Sequence, residues 1–121
     1  MNKPVLGLAL GGVLGAIDGL TALVSAPEVA PQIATIVMGS TFKGLVGGVV
    51  IGAVARKVNN MGIGIVVGLI VGGLLALPFA LGKDPTTGQV YFWEILIPGS
   101  IVGLIVGFAT QRYGARPAAA K

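Results

Sequence analysis

Hydrophobic and polar positions divide the chain into four long apolar runs separated by short polar segments. The apolar runs cover residues 5–24, 32–55, 61–81 and 94–110. About 20 apolar residues in a helix are enough to cross roughly 30 Å of lipid hydrocarbon. Proline, glycine and asparagine are concentrated between the runs, as is typical of helix ends and turns. The pattern predicts an all-α membrane protein with four transmembrane helices in a single domain, residues 1–121.

Each predicted helix carries a row of small residues spaced four apart. A glycine inside a water-soluble helix costs roughly 1 kcal/mol relative to alanine, whereas small residues in lipid let neighbouring helix backbones approach closely. We therefore predict packing of the GxxxGxxxG type, within the chain or against a second copy. The four rows, called ladders below, are Gly7, Gly11, Gly15 and Gly19; Ser40, Gly44, Gly48 and Gly52; Gly64, Gly68, Gly72 and Ala76; and Gly99, Gly103 and Gly107.

The ladders also suggest an internal duplication. The segment around Gly48 and Gly52 aligns with the segment around Gly103 and Gly107, and the first ladder aligns with the third. We interpret residues 4–57 and 61–112 as two helical hairpins in tandem. Because each unit contains two spans, both units would enter the membrane from the same side, as a parallel repeat. A chance alignment of glycine-rich helices is the alternative.

Composition and charge support a membrane location and suggest an orientation. The chain is 55% hydrophobic and 10% charged, with 21 glycines and a net charge of +4. The mean hydropathy is +0.96. By the positive-inside rule, both termini face the cytoplasm of a prokaryotic inner membrane, with the loops that contain Glu28, Lys83 and Asp84 outside. The basic residues assigned to the inner side are Lys3, Arg56, Lys57, Arg112, Arg116 and Lys121.

The basic residues point to lipid rather than to nucleic acid. They flank the predicted spans and lack the interleaved aromatic residues on which nucleic-acid bases stack. Attraction to the headgroups of anionic lipids at the cytoplasmic face is the simpler interpretation. The sequence therefore predicts a lipid bilayer as the main partner and no nucleic acid.

Asp18 and Lys43 are the candidate functional residues because both are charged and lie inside predicted spans. An unpaired charge in lipid costs at least about 2.5 kcal/mol, so we expect the two to pair across the first hairpin or to line a water-filled cavity. Thr21, Ser40 and Thr41 are nearby polar residues. The group could form an ion, proton or small-solute site, or a structural clamp that sets the register of two helices.

Further polar and helix-bending residues lie near the predicted helix ends. Pro78, Glu94 and Pro98 are predicted to shape an outer mouth, and Gln111 is expected to be solvated at the inner end. Cysteine and histidine are absent, and the four acidic residues lie in separate segments. The sequence therefore shows no hydrolytic or metal-binding apparatus, and it predicts neither an enzyme nor a cofactor.

Two functional hypotheses follow from these features. The first is a non-enzymatic helix-packing or accessory subunit. It would form a homo-oligomer or join other membrane subunits, because four ladders exceed what one small bundle needs internally. The alternative is a small channel or transporter for protons, ions or a small polar solute, which would use Asp18 and Lys43.

Overall fold

The computed structural model describes residues 1–85 and 87–115. Arg116 and Lys121, which contribute to the predicted orientation, and Thr86 in the polar loop lie outside the described residues. The described chain is helical, and four helical segments are long and apolar enough to cross a membrane: Lys3–Ser25, Pro27–Val58, Met61–Leu81 and Phe92–Tyr113. The predicted all-α class with four membrane-spanning helices is therefore confirmed at this level.

The elements follow the predicted apolar runs closely, with extensions at several ends. A 3₁₀ helix, Pro27–Gln32, occupies most of the segment predicted as a turn. Proline is tolerated in the first turn of a helix, where its missing N–H costs no hydrogen bond. The α-helices are α1 (Lys3–Leu20), α2 (Ala22–Ser25), α3 (Ile33–Val58), α4 (Met61–Leu81) and α5 (Phe92–Tyr113).

Asparagine side chains and backbone set several helix ends. The Asn2 side chain accepts a hydrogen bond from the backbone N–H of Val5 and caps the start of α1. Asn60 caps α4 in the same way through the N–H of Ile63. Asn59 ends α3 in the left-handed conformation, with φ of 49°, a region that asparagine tolerates better than most residues. A two-residue turn between long helices therefore forces α3 and α4 into adjacent positions.

Helices α1 and α3 run antiparallel with their backbones in contact along the first two ladders. A Cβ atom added to Gly7 would collide with the carbonyl oxygen of Gly48, and one added to Gly11 would collide with the carbonyl oxygen of Gly44. Toward the other end, a Cβ on Gly15 would lie 2.5 Å from the carbonyl oxygen of Ser40. No side chain larger than hydrogen fits at these glycines without separating the two helices.

Helices α4 and α5 form a second antiparallel pair built in the same way. A Cβ atom on Gly68 would collide with the carbonyl oxygen of Gly103, and one on Gly72 would lie 2.5 Å from that of Gly99. Gly107 meets the Gly64 backbone. In both hairpins, the glycine row of one helix therefore faces the glycine row of the other helix within one chain.

The two hairpins pack against each other chiefly through α5, which contacts both α1 and α3, and through a contact between α3 and α4. We call the end of the bundle with residues 25–32 and 82–90 the connector end, and the end with the start of α1, the Asn59–Asn60 turn and the end of α5 the termini end. Ile51, Ala55 and Val106 are buried between the hairpins toward the termini end, and a second buried cluster of Ala26, Val29 and Tyr91 lies at the connector end. The termini end is closed, whereas space remains between the hairpins beside the second cluster.

Lys3 lies inside this closed end, although it was assigned to the basic residues that flank the spans. Its side chain is 2% exposed, and its ammonium donates hydrogen bonds to the Ala55 carbonyl, the Asn59 side chain and the Gln111 side chain. Gln111, which was expected to be solvated at the inner end, is half-buried and packs against Gly64. Lys3 can be buried because three oxygen atoms replace the water that an ammonium otherwise binds.

Candidate functional site: a cavity that ends at an ion pair

An open cavity of about 460 Å³ lies between the hairpins at the connector end. All four long helices contribute to its wall, together with the 3₁₀ helix and the loop after α4. Its volume is within the range of roughly 300–1,000 Å³ that is typical of small-molecule sites. Two of the lining residues, Asp18 and Lys43, carry the charges that the sequence places inside the predicted spans.

Asp18 and Lys43 form an ion pair across α1 and α3, with 3.4 Å between Asp18 Oδ2 and Lys43 Nζ. Their side chains are only 9% and 12% exposed. Ser40 Oγ, on the next turn of α3, donates a 3.3 Å hydrogen bond to the same carboxylate oxygen. The Lys43 ammonium also lies 6.0 Å from the centre of the Phe79 ring on α4, so it reaches from the first hairpin toward the second.

Both members of the pair keep unused hydrogen-bonding capacity. Within residues 1–85 and 87–115, no donor reaches Asp18 Oδ1, and Lys43 Nζ contacts one acceptor although an ammonium has three N–H groups. Among the same residues, no buried side-chain nitrogen or oxygen lacks a partner, so the unpartnered Asp18 Oδ1 is accessible rather than sealed. The pair can therefore accept from and donate to a molecule in the cavity.

The other predicted polar residues divide into two groups. Ser40 and Thr21 line the cavity, although the Thr21 hydroxyl donates back to the Asp18 carbonyl within its own helix. Thr41 lies outside the cavity wall, and its hydroxyl bonds to the Val37 carbonyl. The structure therefore brings Asp18, Lys43 and Ser40 together and leaves Thr41 in the helix contact with Gly15.

Of the three residues predicted to form an outer mouth, two line the cavity and one does not. Pro78, in the last turn of α4, and Glu94, in the first turn of α5, both line the cavity. Pro98 lies further along α5 and does not belong to the wall. Glu94 is exposed, and it has no hydrogen-bond or ion-pair partner in the part of the chain that the structure describes. Asp84 and Lys83 also line the cavity, so Glu94 is one of several charged residues in its wall.

A narrow apolar gap of about 20 Å³ continues from the ion pair toward the termini end. Glycines of the ladders and the side chains of Ile51, Leu75, Val102 and Val106 enclose it. Beyond it, Thr110 is fully buried, and its hydroxyl bonds to carbonyls of its own helix. The cavity is therefore open at the connector end and blocked below the ion pair.

Sequence reasoning missed a polar network, called the clasp here, that joins the hairpins beside the cavity. Tyr91 Oη donates a 2.9 Å hydrogen bond to Glu28 Oε1 and lies 3.1 Å from Thr87 Oγ1. Gln32 Nε2 donates a 2.6 Å hydrogen bond to Asp84 Oδ2. These residues belong to segments that are distant in sequence and polar in composition, so nothing local indicated that they meet.

Apolar contacts and the loop backbone support the clasp. Tyr91 is buried with Ala26 and Val29, and Gly88 adopts a φ of 72° that a side chain would strain. The hydrogen bond with Thr87 lowers the pKa of the Tyr91 hydroxyl, but burial and the carboxylates of Glu28 and Asp84 together raise that pKa by a larger amount. The net effect is a Tyr91 pKa above the ordinary value of 10.0.

The fold and site define a class: a small helical protein whose four spanning helices support a multi-pass membrane location, with a charged pair at the base of an open cavity. Comparisons of the chain with protein-family models, with curated proteins and with solved structures find no match in any of the three.

Proposed function

We propose that the protein binds a small polar solute and moves it across the membrane as a channel or transporter, with Asp18 and Lys43 as the solute site. The observation that carries this proposal is the open cavity that ends at the part-buried pair, where both charges keep unused hydrogen-bonding capacity. Ionisable residues at membrane depth are costly to place there, and they commonly mark the path of a substrate or ion.

The arrangement of the hairpins supports alternating access rather than an open pore. Contacts within each hairpin are backbone to backbone along the ladders, so each pair of helices is expected to move as one body. The gap below Asp18 and Lys43 is too narrow for a solute, and the Lys3 hydrogen bonds close the termini end. Passage would therefore require one hairpin to tilt against the other.

Reconstitution in liposomes tests the transport proposal. We expect flux of a small polar solute through the wild-type protein, and we expect Asp18→Asn and Lys43→Met to abolish it. Lys57→Met is the matched control because Lys57 is exposed at the other end of the bundle. Absence of flux in a folded, correctly inserted wild type, or equal flux in all variants, would reject the proposal.

A helix-packing or accessory subunit remains the second candidate, and one observation favours it. Asp18, Ser40 and Lys43 connect α1 and α3 of the same hairpin, as a clamp on helix register would. In a homo-oligomer or larger membrane complex, association would use exposed apolar side chains such as Phe42, because the ladders face each other inside the chain. Dissociation of such a complex on a native gel in Asp18→Asn and Lys43→Met, with no change in any flux, would favour this candidate.

We further propose a prokaryotic inner-membrane location with both termini in the cytoplasm and with Arg56, Lys57 and Arg112 near anionic headgroups. The basic residues at the termini end support this orientation. We also propose that the ladders are the means of helix packing and that the two hairpins are a tandem repeat, supported by the similar antiparallel contacts in each. Because the chain has no native cysteine, single cysteines near Asn2 and Gly88 can report sidedness by labelling.

A further inference from the structure

We infer that the molecule bound at Asp18 and Lys43 is a zwitterion with an apolar portion, a chemical class that carries one ammonium and one anionic oxygen group. This inference rests on the proposed function and specifies its substrate. It starts from the geometry of the pair itself. At 3.4 Å, the single contact between Asp18 Oδ2 and Lys43 Nζ is longer than the 2.7–2.9 Å typical of a strong charge-assisted hydrogen bond.

The unused atoms of the pair are complementary to a zwitterion. Asp18 Oδ1 can accept a hydrogen bond from a ligand ammonium, and the remaining N–H groups of Lys43 can donate to a ligand oxygen. The acceptor and the donors lie side by side at the base of one cavity. A ligand with both kinds of group can therefore contact Asp18 and Lys43 at the same time.

Charge compensation excludes the simpler ligands as good substrates. A monovalent cation that takes Asp18 away from Lys43 leaves the ammonium without a counter-charge at membrane depth, and an anion that takes Lys43 leaves the carboxylate in the same position. In a zwitterion, the ammonium pairs with Asp18 while the anionic group pairs with Lys43, so no charge is left uncompensated. The site therefore discriminates by the number and sign of ligand charges rather than by size.

The rest of the cavity favours a ligand with an apolar portion. Ala22, Ile36, Phe79 and Ile95 contribute apolar side chains to its wall. Glu94, Asp84 and Lys83 also line the cavity, and these charges of both signs would attract the two ends of a zwitterion. A compact zwitterion that carries a hydrocarbon group can pair its charges with Asp18 and Lys43 and pack its hydrocarbon group against the apolar wall.

The cavity can receive such a molecule from two sources. It opens toward the connector end, and it is also open between α3 and α4, where Thr35 and Gly39 line it and remain exposed. A Cβ atom on Gly39 would meet nothing within 4 Å, whereas Gly47, two turns further along α3, contacts Leu75 of α4. A free zwitterion could enter by the first opening, and the zwitterionic headgroup of a lipid by the second.

Three probes that share a 3-methylbutyl group test the charge requirement on the full-length protein in detergent micelles. They are leucine, which is zwitterionic; 3-methylbutylamine, which is cationic; and 4-methylpentanoate, which is anionic. We expect calorimetric titration to show leucine binding at least about tenfold more tightly than either singly charged probe, since each of those leaves one charge uncompensated.

Two variants should change the preference in opposite directions. Lys43→Met removes the positive charge and should make 3-methylbutylamine the best of the three probes, whereas Asp18→Asn should make 4-methylpentanoate the best. A purely structural role of the pair would lower all three affinities together and would not exchange their order. Lys57→Met should retain the wild-type order, and circular dichroism establishes that each variant is folded.

A lipid-binding measurement distinguishes the two possible sources of the zwitterion. Native mass spectrometry of the wild-type protein with an equal mixture of phosphatidylethanolamine and phosphatidylglycerol reports which lipid is retained. Retention of phosphatidylethanolamine, lost in both variants, would place the ligand in the membrane, whereas leucine binding without lipid retention would place it in water. The inference is overturned if no zwitterion binds in either arm, or if singly charged probes bind as tightly as leucine.

The outcomes separate this inference from the proposed function. Flux that depends on Asp18 and Lys43 but shows no preference for zwitterions would remove the inference and leave transport standing. Charge-selective binding of leucine or lipid without any flux in liposomes would leave the site standing and remove transport.

Discussion

The Tyr91 hydroxyl donates a hydrogen bond to Glu28 Oε1 and thereby joins the start of α5 to the 3₁₀ helix that precedes α3. These residues belong to different hairpins, and the bond lies beside the open end of the cavity. The clasp therefore connects the hairpins at the connector end, as the Lys3 hydrogen bonds connect them at the termini end. Both contacts limit how far the hairpins can separate.

Removal of the Tyr91 hydroxyl should weaken the clasp without changing the helices. Tyr91→Phe leaves the ring among Ala26 and Val29 but removes the partner of Glu28, so we expect a loss of about 1 kcal/mol in the free energy of unfolding. Thermal unfolding in detergent measures this loss. Tyr113→Phe, at an exposed position, is the control, and equal melting of the two variants would show that the clasp contributes no stability.

Alkaline pH should also open the clasp. Because the folded-state pKa of Tyr91 is above 10.0, its unfolded value, folding favours the protonated hydroxyl. The resulting stabilisation is fully present below pH 10 and is lost as the pH rises through the folded-state pKa. Absorbance titration of the tyrosinate in Tyr113→Phe, which retains Tyr91 as the remaining tyrosine, measures that pKa, and a Tyr91 pKa at or below 10 would contradict the expectation.

The ladder contacts predict opposite effects for the same substitution at two glycines. Gly11→Ala places a methyl group against the Gly44 backbone, which cannot move independently, so we expect a loss of about 1–3 kcal/mol or more. Gly39→Ala meets nothing within 4 Å and should be neutral or stabilising by up to about 1 kcal/mol. Unfolding in a denaturing detergent measures both variants, and similar losses in the two would mean that helix propensity, rather than close approach, controls stability.

The buried Lys3 should matter far more than an exposed lysine. Lys3→Met keeps most of the side-chain volume but removes the ammonium that donates to the side-chain oxygens of Asn59 and Gln111, at a cost of about 1–3 kcal/mol. The Ala55 carbonyl keeps the backbone N–H of Asn59 as a donor. Lys57→Met should change the free energy of unfolding by less than about 0.5 kcal/mol because Lys57 is exposed. The comparison is made by thermal unfolding, and equal values would remove Lys3 as a stabilising contact.

The Asp18–Lys43 pair should show strong energetic coupling. Asp18→Asn leaves the Lys43 ammonium without its counter-charge, so we expect a loss on the order of 2 kcal/mol, and Lys43→Met should have a similar effect. The double variant should be more stable than the sum of the two losses implies, because it removes both charges together. A double-mutant cycle measured by unfolding provides the coupling energy, and simple additivity would indicate that the charges do not interact.

Local sequence features were sufficient to predict the helices. Each span is a continuous apolar run, and the asparagines at Asn2 and Asn60 act through bonds to residues three positions away, so no distant contact is needed to place these ends. The sequence also indicated Asp18 and Lys43 as candidate functional residues, because a charge inside an apolar run is unusual wherever the helix lies. It could not predict the distance of 3.4 Å between Asp18 Oδ2 and Lys43 Nζ, because that distance depends on the register of α1 against α3.

The amino-acid sequence by itself determined the number of membrane-length helices, their approximate ends and the position of every ladder, because hydrophobicity and helical spacing are properties of neighbouring residues. Tertiary structure alone decided that ladder meets ladder inside one chain, that Lys3 is buried, and that Tyr91 reaches Glu28. These outcomes depend on the placement of whole hairpins, which is set by close contacts between residues far apart in sequence. The cavity exists for the same reason: the two hairpins, each held together along its own ladders, leave space between them around the ion pair.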